Sequence, residues 1–136
     1  MKISTKGRYG AKIMIDIAGS GELAPILVKD ISKRLNISEK YLGQLALMLK
    51  NAGLLNSVRG AKGGYLLSRP AADITLYDIV ESLEGPICFA DKNEGCAATI
   101  IWEEIAKFAE DRMREVSLSE LVEMQRDLSQ KFAYTI

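Results

Sequence analysis

The amino-acid sequence predicts a mainly α-helical chain in which one small β-hairpin interrupts a series of helices. Three observations carry this expectation. Apolar residues recur at three- and four-residue spacing through most of the chain, as amphipathic helices require. One stretch, LLNSVRGAKGGYLLSRP (54–70), instead sets two short apolar runs around a glycine-rich loop, which reads as a hairpin. Near the C-terminal end, residues 97–116 form the longest amphipathic stripe.

The first helix is expected from Ser4 to about Gly19, where Tyr9, Ile13 and Ile17 recur with Ala11, Met14 and Ala18, and Gly19-Ser20-Gly21 ends it. After a loop at Pro25, LVKDISKRL puts Val28, Ile31 and Leu35 on one stripe, and Asn36-Ile37-Ser38 breaks it. Ser38 suits an N-cap, because its hydroxyl can accept a free N–H of the next turn. The third helix, EKYLGQLALMLKNAG, then buries Leu42, Leu45, Ala46 and Leu49 and closes at Gly53. Two helices joined by about three residues read as a helix-turn-helix. Short strands are expected at Leu54–Val58 and Tyr65–Leu67, with RGAKGG as the basic hairpin tip between them. The sum is a winged helix-turn-helix.

Pro70 marks a joint between a winged-helix unit, residues 1–70, and residues 71–136, which hold the cysteine loop and the long helix. TLYDIVESLEG is a short helix whose Thr75 and Asp78 form a capping box. The long helix follows, with Ala97, Ile101, Ile105, Phe108, Ala109, Met113 and Val116 on one side. Ser117-Leu118-Ser119-Glu120 is a second capping box and starts a last helix, LSELVEMQRDL. The residues after Pro70 are too few to cover the long stripe. It is therefore expected to dimerise through Ile101, Ile105, Phe108 and Met113, the alternative being that it folds back on the first helix.

The zero net charge hides an asymmetry. Residues 1–70 hold 12 Lys+Arg against 4 Asp+Glu, and residues 71–136 hold 6 against 14. A basic half facing a polyanion and an acidic half turned away from it explain such a division. A helix entering the major groove of DNA needs hydrogen-bonding side chains opposite its buried stripe. Lys40, Tyr41, Gln44 and, further on, Lys50 take that face, with Ser38 at its start. Gln44 suits bidentate pairing with adenine, Tyr41 a base edge or phosphate, and Lys40 guanine or phosphate. Gly43, between them, leaves room for a groove wall. At the hairpin tip, Arg59 and Lys62 are placed for a narrow minor groove. Lys2, Lys6, Arg8 and Lys12 are expected phosphate contacts, giving affinity and salt dependence without reading sequence. RGAKGG lacks the GK[ST] ending and the strand–loop–helix setting of a nucleotide phosphate loop.

The segments MKISTKGRYG, ISEKYLGQLALMLKNAGLLNSVRGAKGGYLLSRP, ITLYDIVESLEGPI and SLSELV, in this order, resemble the Rrf-two family of bacterial winged-helix transcription regulators, over nearly the whole chain. The resemblance implies a homodimer that binds a palindromic double-stranded DNA operator, usually as a repressor. It also implies that Tyr41 and Gln44 read bases and that Arg59 enters the minor groove. The family often has an acidic residue where this chain has Gly43.

The resemblance bears on ICFADKNEGC (87–96), which holds both cysteines of a chain without histidine. Cluster-binding members of the family carry three cysteines in this region, with a fourth ligand from a histidine after the last one or from the partner's first helix. Cys96, six residues before Trp102, matches the third cysteine; Cys88 stands nearest the first, and the middle one is absent. Thr99 takes the histidine position, and cationic Arg8 and Lys12 take the first-helix positions. A [2Fe–2S] cluster needs four ligands, mostly thiolates. A full set would draw on Asp91, Glu94 or the cysteines of two protomers. Three readings stand: a [2Fe–2S] cluster, a thiol switch closing a Cys88–Cys96 or cross-dimer disulfide, or two small apolar residues, with an effector or protein partner as the signal.

Catalysis is excluded by the lack of histidine, of a serine–base pair and of hydrolase metal spacing. The rival from another class is a protein-interaction module that docks a protein on the winged helix; the basic half favours nucleic acid. No apolar run approaches the roughly 18 residues that span a bilayer. MKISTKGRYG has no apolar core or cleavage site of a secretory signal. The expected location is the cytoplasm.

Overall fold

The computed structural model describes residues 3–21, 24–91 and 95–135. Lys2 and Glu94, both singled out above, lie outside the described residues. Among the described residues, six α-helices and one antiparallel hairpin follow in the order α1 (Thr5–Gly19), α2 (Val28–Leu35), α3 (Glu39–Asn51), β1 (Leu55–Val58), β2 (Gly64–Leu67), a 3₁₀ turn (Ala71–Asp73), α4 (Leu76–Glu84), α5 (Ala97–Glu115) and α6 (Leu118–Thr135).

The expected stripes are the buried ones. Ile13, Met14 and Ile17 of α1, Ile31 of α2, and Leu42, Leu45, Ala46 and Leu49 of α3 enclose one core with Ile74, Ile79 and Leu118. Asn36 ends α2 in the left-handed region (φ 53°), which asparagine tolerates better than most residues. The Ser38 hydroxyl then accepts the Tyr41 N–H at 3.1 Å and starts α3. The two helices are therefore locked at a fixed angle by a cap at each side of a three-residue turn.

In the wing, Leu55 pairs with Leu67 and Val58 with Gly64. Ile26 and Tyr65 exchange two backbone hydrogen bonds of 2.8 and 2.9 Å, so the α1–α2 connection lies against the hairpin as one further rung. Gly64 makes this possible. It sits at φ +144°, and a Cβ there would run into the Ile26 carbonyl. Arg69 fastens the far end of the hairpin: Nε donates to the Asp73 carbonyl, a terminal nitrogen to the Gly53 carbonyl, and the other to Asp78 at 3.3 Å.

Both capping boxes form. Thr75 Oγ1 accepts the Asp78 N–H while the Asp78 carboxylate accepts the Thr75 N–H. Ser117 and Glu120 exchange the same pair of bonds. Backbone bonds Leu76 N–H to Val116 O and Leu118 N–H to Ile74 O tie the two boxes together. The last helix runs beyond the expected LSELVEMQRDL to Thr135, because Leu128 and Phe132 continue the four-residue period.

The packing of the C-terminal half differs from the fold-back alternative. It is α6, not α5, that returns to α1, while α5 packs on α4. Tyr77 of α4 lies beneath the Arg114 guanidinium, 4.0 Å from ring centroid to carbon, and Arg114 pairs with Glu110 at 2.7 Å. Glycine lets α1 and α4 approach: a Cβ at Gly10 would collide with the Leu83 side chain.

Candidate functional site

The N-terminal start of α3 is the centre of the candidate nucleic-acid interface. Lys40 and Gln44 are exposed, and Tyr41 is half-buried. A Cβ at Gly43 would meet nothing within 4 Å, so this turn of α3 faces open space. Ser38 spends its hydroxyl oxygen on the cap, which fixes the helix end that carries the other three. Lys50 is exposed at the opposite end of α3.

Tyr41 is held from behind. Its ring stands edge to face with Tyr9 of α1, centroids 6.0 Å apart, and Lys12 Nζ lies 4.9 Å from the Tyr9 centroid. Lys6 of α1 lines the same cleft as Tyr41. Sequence spacing does not reveal this junction; the structure brings the first-helix cations Lys6 and Lys12 to the start of α3. Arg8 is exposed on the same helix.

The wing residues stand elsewhere. Arg59, Gly60, Ala61 and Lys62 are all exposed at the hairpin tip, and the turn closes through Gly63 N–H to Gly60 O at 3.0 Å. Lys62 lies near the α1–α2 connection, in a shallow depression shared with Leu27, Asp30 and Arg34. Arg34 makes a bidentate pair with Asp16 of α1, at 2.9 and 2.8 Å. That pair raises the guanidinium pKa above its usual range, chiefly through the hydrogen bond. Neither Arg34 nor Arg69 stood out in the sequence, since their partners are non-local acids or carbonyls with no spacing rule.

Cys88 and Cys96 are exposed free thiols. The Cys88 thiol donates to the Ala90 carbonyl at 2.8 Å, and Cys96 immediately precedes α5 as its N-cap residue. Cys88 lines the cleft that also holds Lys6 and Tyr41, and Cys96 does not. Among the described residues no three of His, Cys, Asp and Glu gather to hold a metal ion. With two cysteines, no histidine, and Arg8 and Lys12 on the first helix, one chain does not fit the four-ligand set of a [2Fe–2S] cluster.

The α5 stripe faces solvent. Phe108 is 74% exposed and Ile100 61%, with Ile101, Trp102 and Ile105 also exposed beside them. Met113, expected in the same stripe, is instead half-buried and lines the cleft between α1, α4 and α5. On α6, Met124, Leu128 and Phe132 are exposed as well. Among the described residues no helix is long and apolar enough to cross a membrane.

Residues 3–124 match the family model described as Rrf2, Iron-dependent Transcriptional regulator. The chain is 42% identical over 123 residues to the HTH-type transcriptional regulator CymR of Bacillus subtilis, covering 89% of each. Its fold is similar to the solved structure of CymR, the global cysteine regulator of B. subtilis, with a TM-score of 0.81 and 40% identity over 91% of this chain and 98% of that one. It is also similar to IscR of T. potens, with a TM-score of 0.79 and 38% identity over 92% and 88%.

Proposed function

The chain belongs to the Rrf2 family of transcriptional regulators, and on that premise we propose that it acts as a cytoplasmic homodimer that represses transcription from a palindromic DNA operator. Members of the family are DNA-binding regulators with a winged-helix fold, not enzymes.

The single observation that carries the reading is the start of α3. Lys40, Tyr41 and Gln44 stand there on an open helix end, backed by cations of α1. Gln44 and Tyr41 read base edges in the major groove, Lys40 a base or phosphate, and Arg59 with Lys62 the flanking minor groove. Lys6, Arg8 and Lys50 bind phosphates. Residues 1–70 thus form the DNA-binding part, and residues 71–136 the sensing and dimerising part.

The dimer forms through the exposed stripe of α5 at Ile101, Ile105 and Phe108, with Met113 at its inner edge. Contiguous apolar surface of this kind is unusual on a monomer, and a two-fold axis would place two recognition helices on successive turns of a palindrome. The sensor lies in residues 87–96 and works through its thiols or a bound effector, since one chain alone does not supply the four ligands of a cluster.

The test is binding of the full chain to its promoter fragment across a salt series. Affinity should fall steeply and linearly on a log–log plot. An affinity that ignores salt would sink the phosphate contacts and favour a protein partner for the winged helix.

A further inference from the structure

A cleft of about 1010 Å³ opens between the start of α1, the start of α3, the end of α4, loop 85–89 and α5. Its size is at the upper end of small-molecule sites, roughly 300–1,000 Å³. Ile3, Val80, Leu83, Ile87, Phe89 and Met113 form apolar walls. A carboxylate, Glu84, and a cation, Lys6, also line it, and the state of these two groups decides what the cleft can hold.

The charge of Glu84 is already engaged. Its Oε1 accepts the Ser4 hydroxyl, and the carboxylate lies over the first turn of α1, within 2.9–3.0 Å of where a Cβ on Gly7 would stand. That turn has no acidic residue of its own, so Glu84 supplies the negative charge that a helix N-terminus favours. Lys6 Nζ and the Tyr41 hydroxyl, by contrast, have no side-chain partner among the described residues. The lining therefore offers apolar walls, a free ammonium and a free phenol, and its one carboxylate is spoken for.

We propose that this cleft is an effector site for an anionic amphiphile, a small carboxylate on an apolar body, and that its occupant and the operator compete for Lys6 and Tyr41. The apolar part lies against Val80, Ile87 and Met113, and the carboxylate accepts from Lys6 and Tyr41 at the mouth. The binding half of this inference stands on the cleft alone. The competition rests on Lys6 and Tyr41 contacting DNA, as proposed above.

Calorimetric titration of the full chain with decanoate, and with decylamine as a probe of equal length and opposite charge, tests the site. Decanoate should saturate at one per chain and decylamine should not. Lys6→Gln should weaken decanoate at least five-fold. Ala109→Phe and, independently, Ile87→Trp fill the cleft and should abolish its binding, with circular dichroism confirming that each variant is folded. Equal binding of the two probes, no saturable binding of decanoate, or unaltered binding in a folded cleft-filled variant overturns the site. So does decanoate binding that only accompanies dissociation of a dimer in sedimentation, which would make the second copy the natural occupant. Fluorescence anisotropy with operator DNA tests the competition separately: decanoate should raise the apparent Kd at least five-fold in the parent chain and leave Ala109→Phe unchanged. Saturable decanoate with undisturbed operator binding overturns the competition alone. Failure to bind any operator would instead refute the DNA-binding reading, and the competition with it, while the titration still decides the site.

Discussion

The rings of Tyr9 and Tyr41 stand edge to face, with centroids 6.0 Å apart and planes at 88°. This contact links the first helix to the exposed start of α3, and Lys12 lies over the same Tyr9 ring. Such aromatic pairs contribute about 0.5–1.5 kcal/mol beyond the area they bury. Tyr9→Leu should therefore lower the unfolding free energy by that order, seen as a lower urea midpoint at unchanged slope, and also weaken operator binding, because Tyr41 loses its backing. Tyr41→Phe keeps the ring pair and should leave stability within about 0.5 kcal/mol while weakening operator binding. A stability loss in Tyr41→Phe as large as that in Tyr9→Leu would show that the hydroxyl supports the fold as much as the ring contact does.

Gln44→Ala and Arg59→Ala should each weaken binding to the operator by about 1–3 kcal/mol and leave random DNA nearly unaffected. Arg8→Ala should weaken both alike and reduce the salt slope by about one. Equal losses on operator and random DNA for Gln44→Ala would remove it from the base-reading set.

Phe108 is 74% exposed in a single chain, so it contributes little to that chain's own core. Phe108→Glu should convert the protein to a monomer in sedimentation and lower operator affinity, while the monomer keeps its helical circular dichroism. A variant that still sediments as a dimer would move the interface away from this part of α5.

The α4–α5 junction should respond to acid. Glu110 titrates below the usual carboxylate range, first because it accepts from Arg114 and then because it accepts from Tyr77. Burial, followed by the same hydrogen bond to Glu110, raises the Tyr77 phenol. A depressed carboxylate stabilises the fold above its unfolded value, about 4.3, and that contribution disappears as pH falls through the lower folded value. Glu110→Gln should lower the thermal midpoint at pH 7, and the gap between variant and parent should close as pH falls from the unfolded value through the lower folded one. A gap that stays constant with pH would mean that shape, not charge, holds the junction.

Local chemistry was legible in the sequence. Ser38, Thr75 with Asp78, and Ser117 with Glu120 cap helices as their spacing predicts, because a cap is decided within four residues. The buried face Leu42, Leu45, Ala46 and Leu49 follows from periodicity in the same way. Contacts between distant segments were not legible. Nothing in the spacing of Glu84 places its carboxylate on Ser4 and α1, and nothing about Arg69 announces acceptors at Gly53, Asp73 and Asp78. The return of α6 to α1 escaped for a related reason. Several faces of the C-terminal helices are apolar, and periodicity does not say which meets which. Met113 shows the same ambiguity: its spacing puts it with Phe108, yet it turns into the cleft.

Leu118 shares the core with Ile13 and Met14, and this has a consequence for the order of events during synthesis. A ribosome adding about 5–20 residues per second needs roughly 5–20 seconds to travel from the first helix to the sixth. In the later part of that interval the residues proposed to face DNA, up to Lys62, have already been translated, while the inner side of α1 still lacks its final cover. The surface that would meet a promoter is thus translated early and completed late, so a nascent chain gains its grip on DNA only when most of its length has left the tunnel.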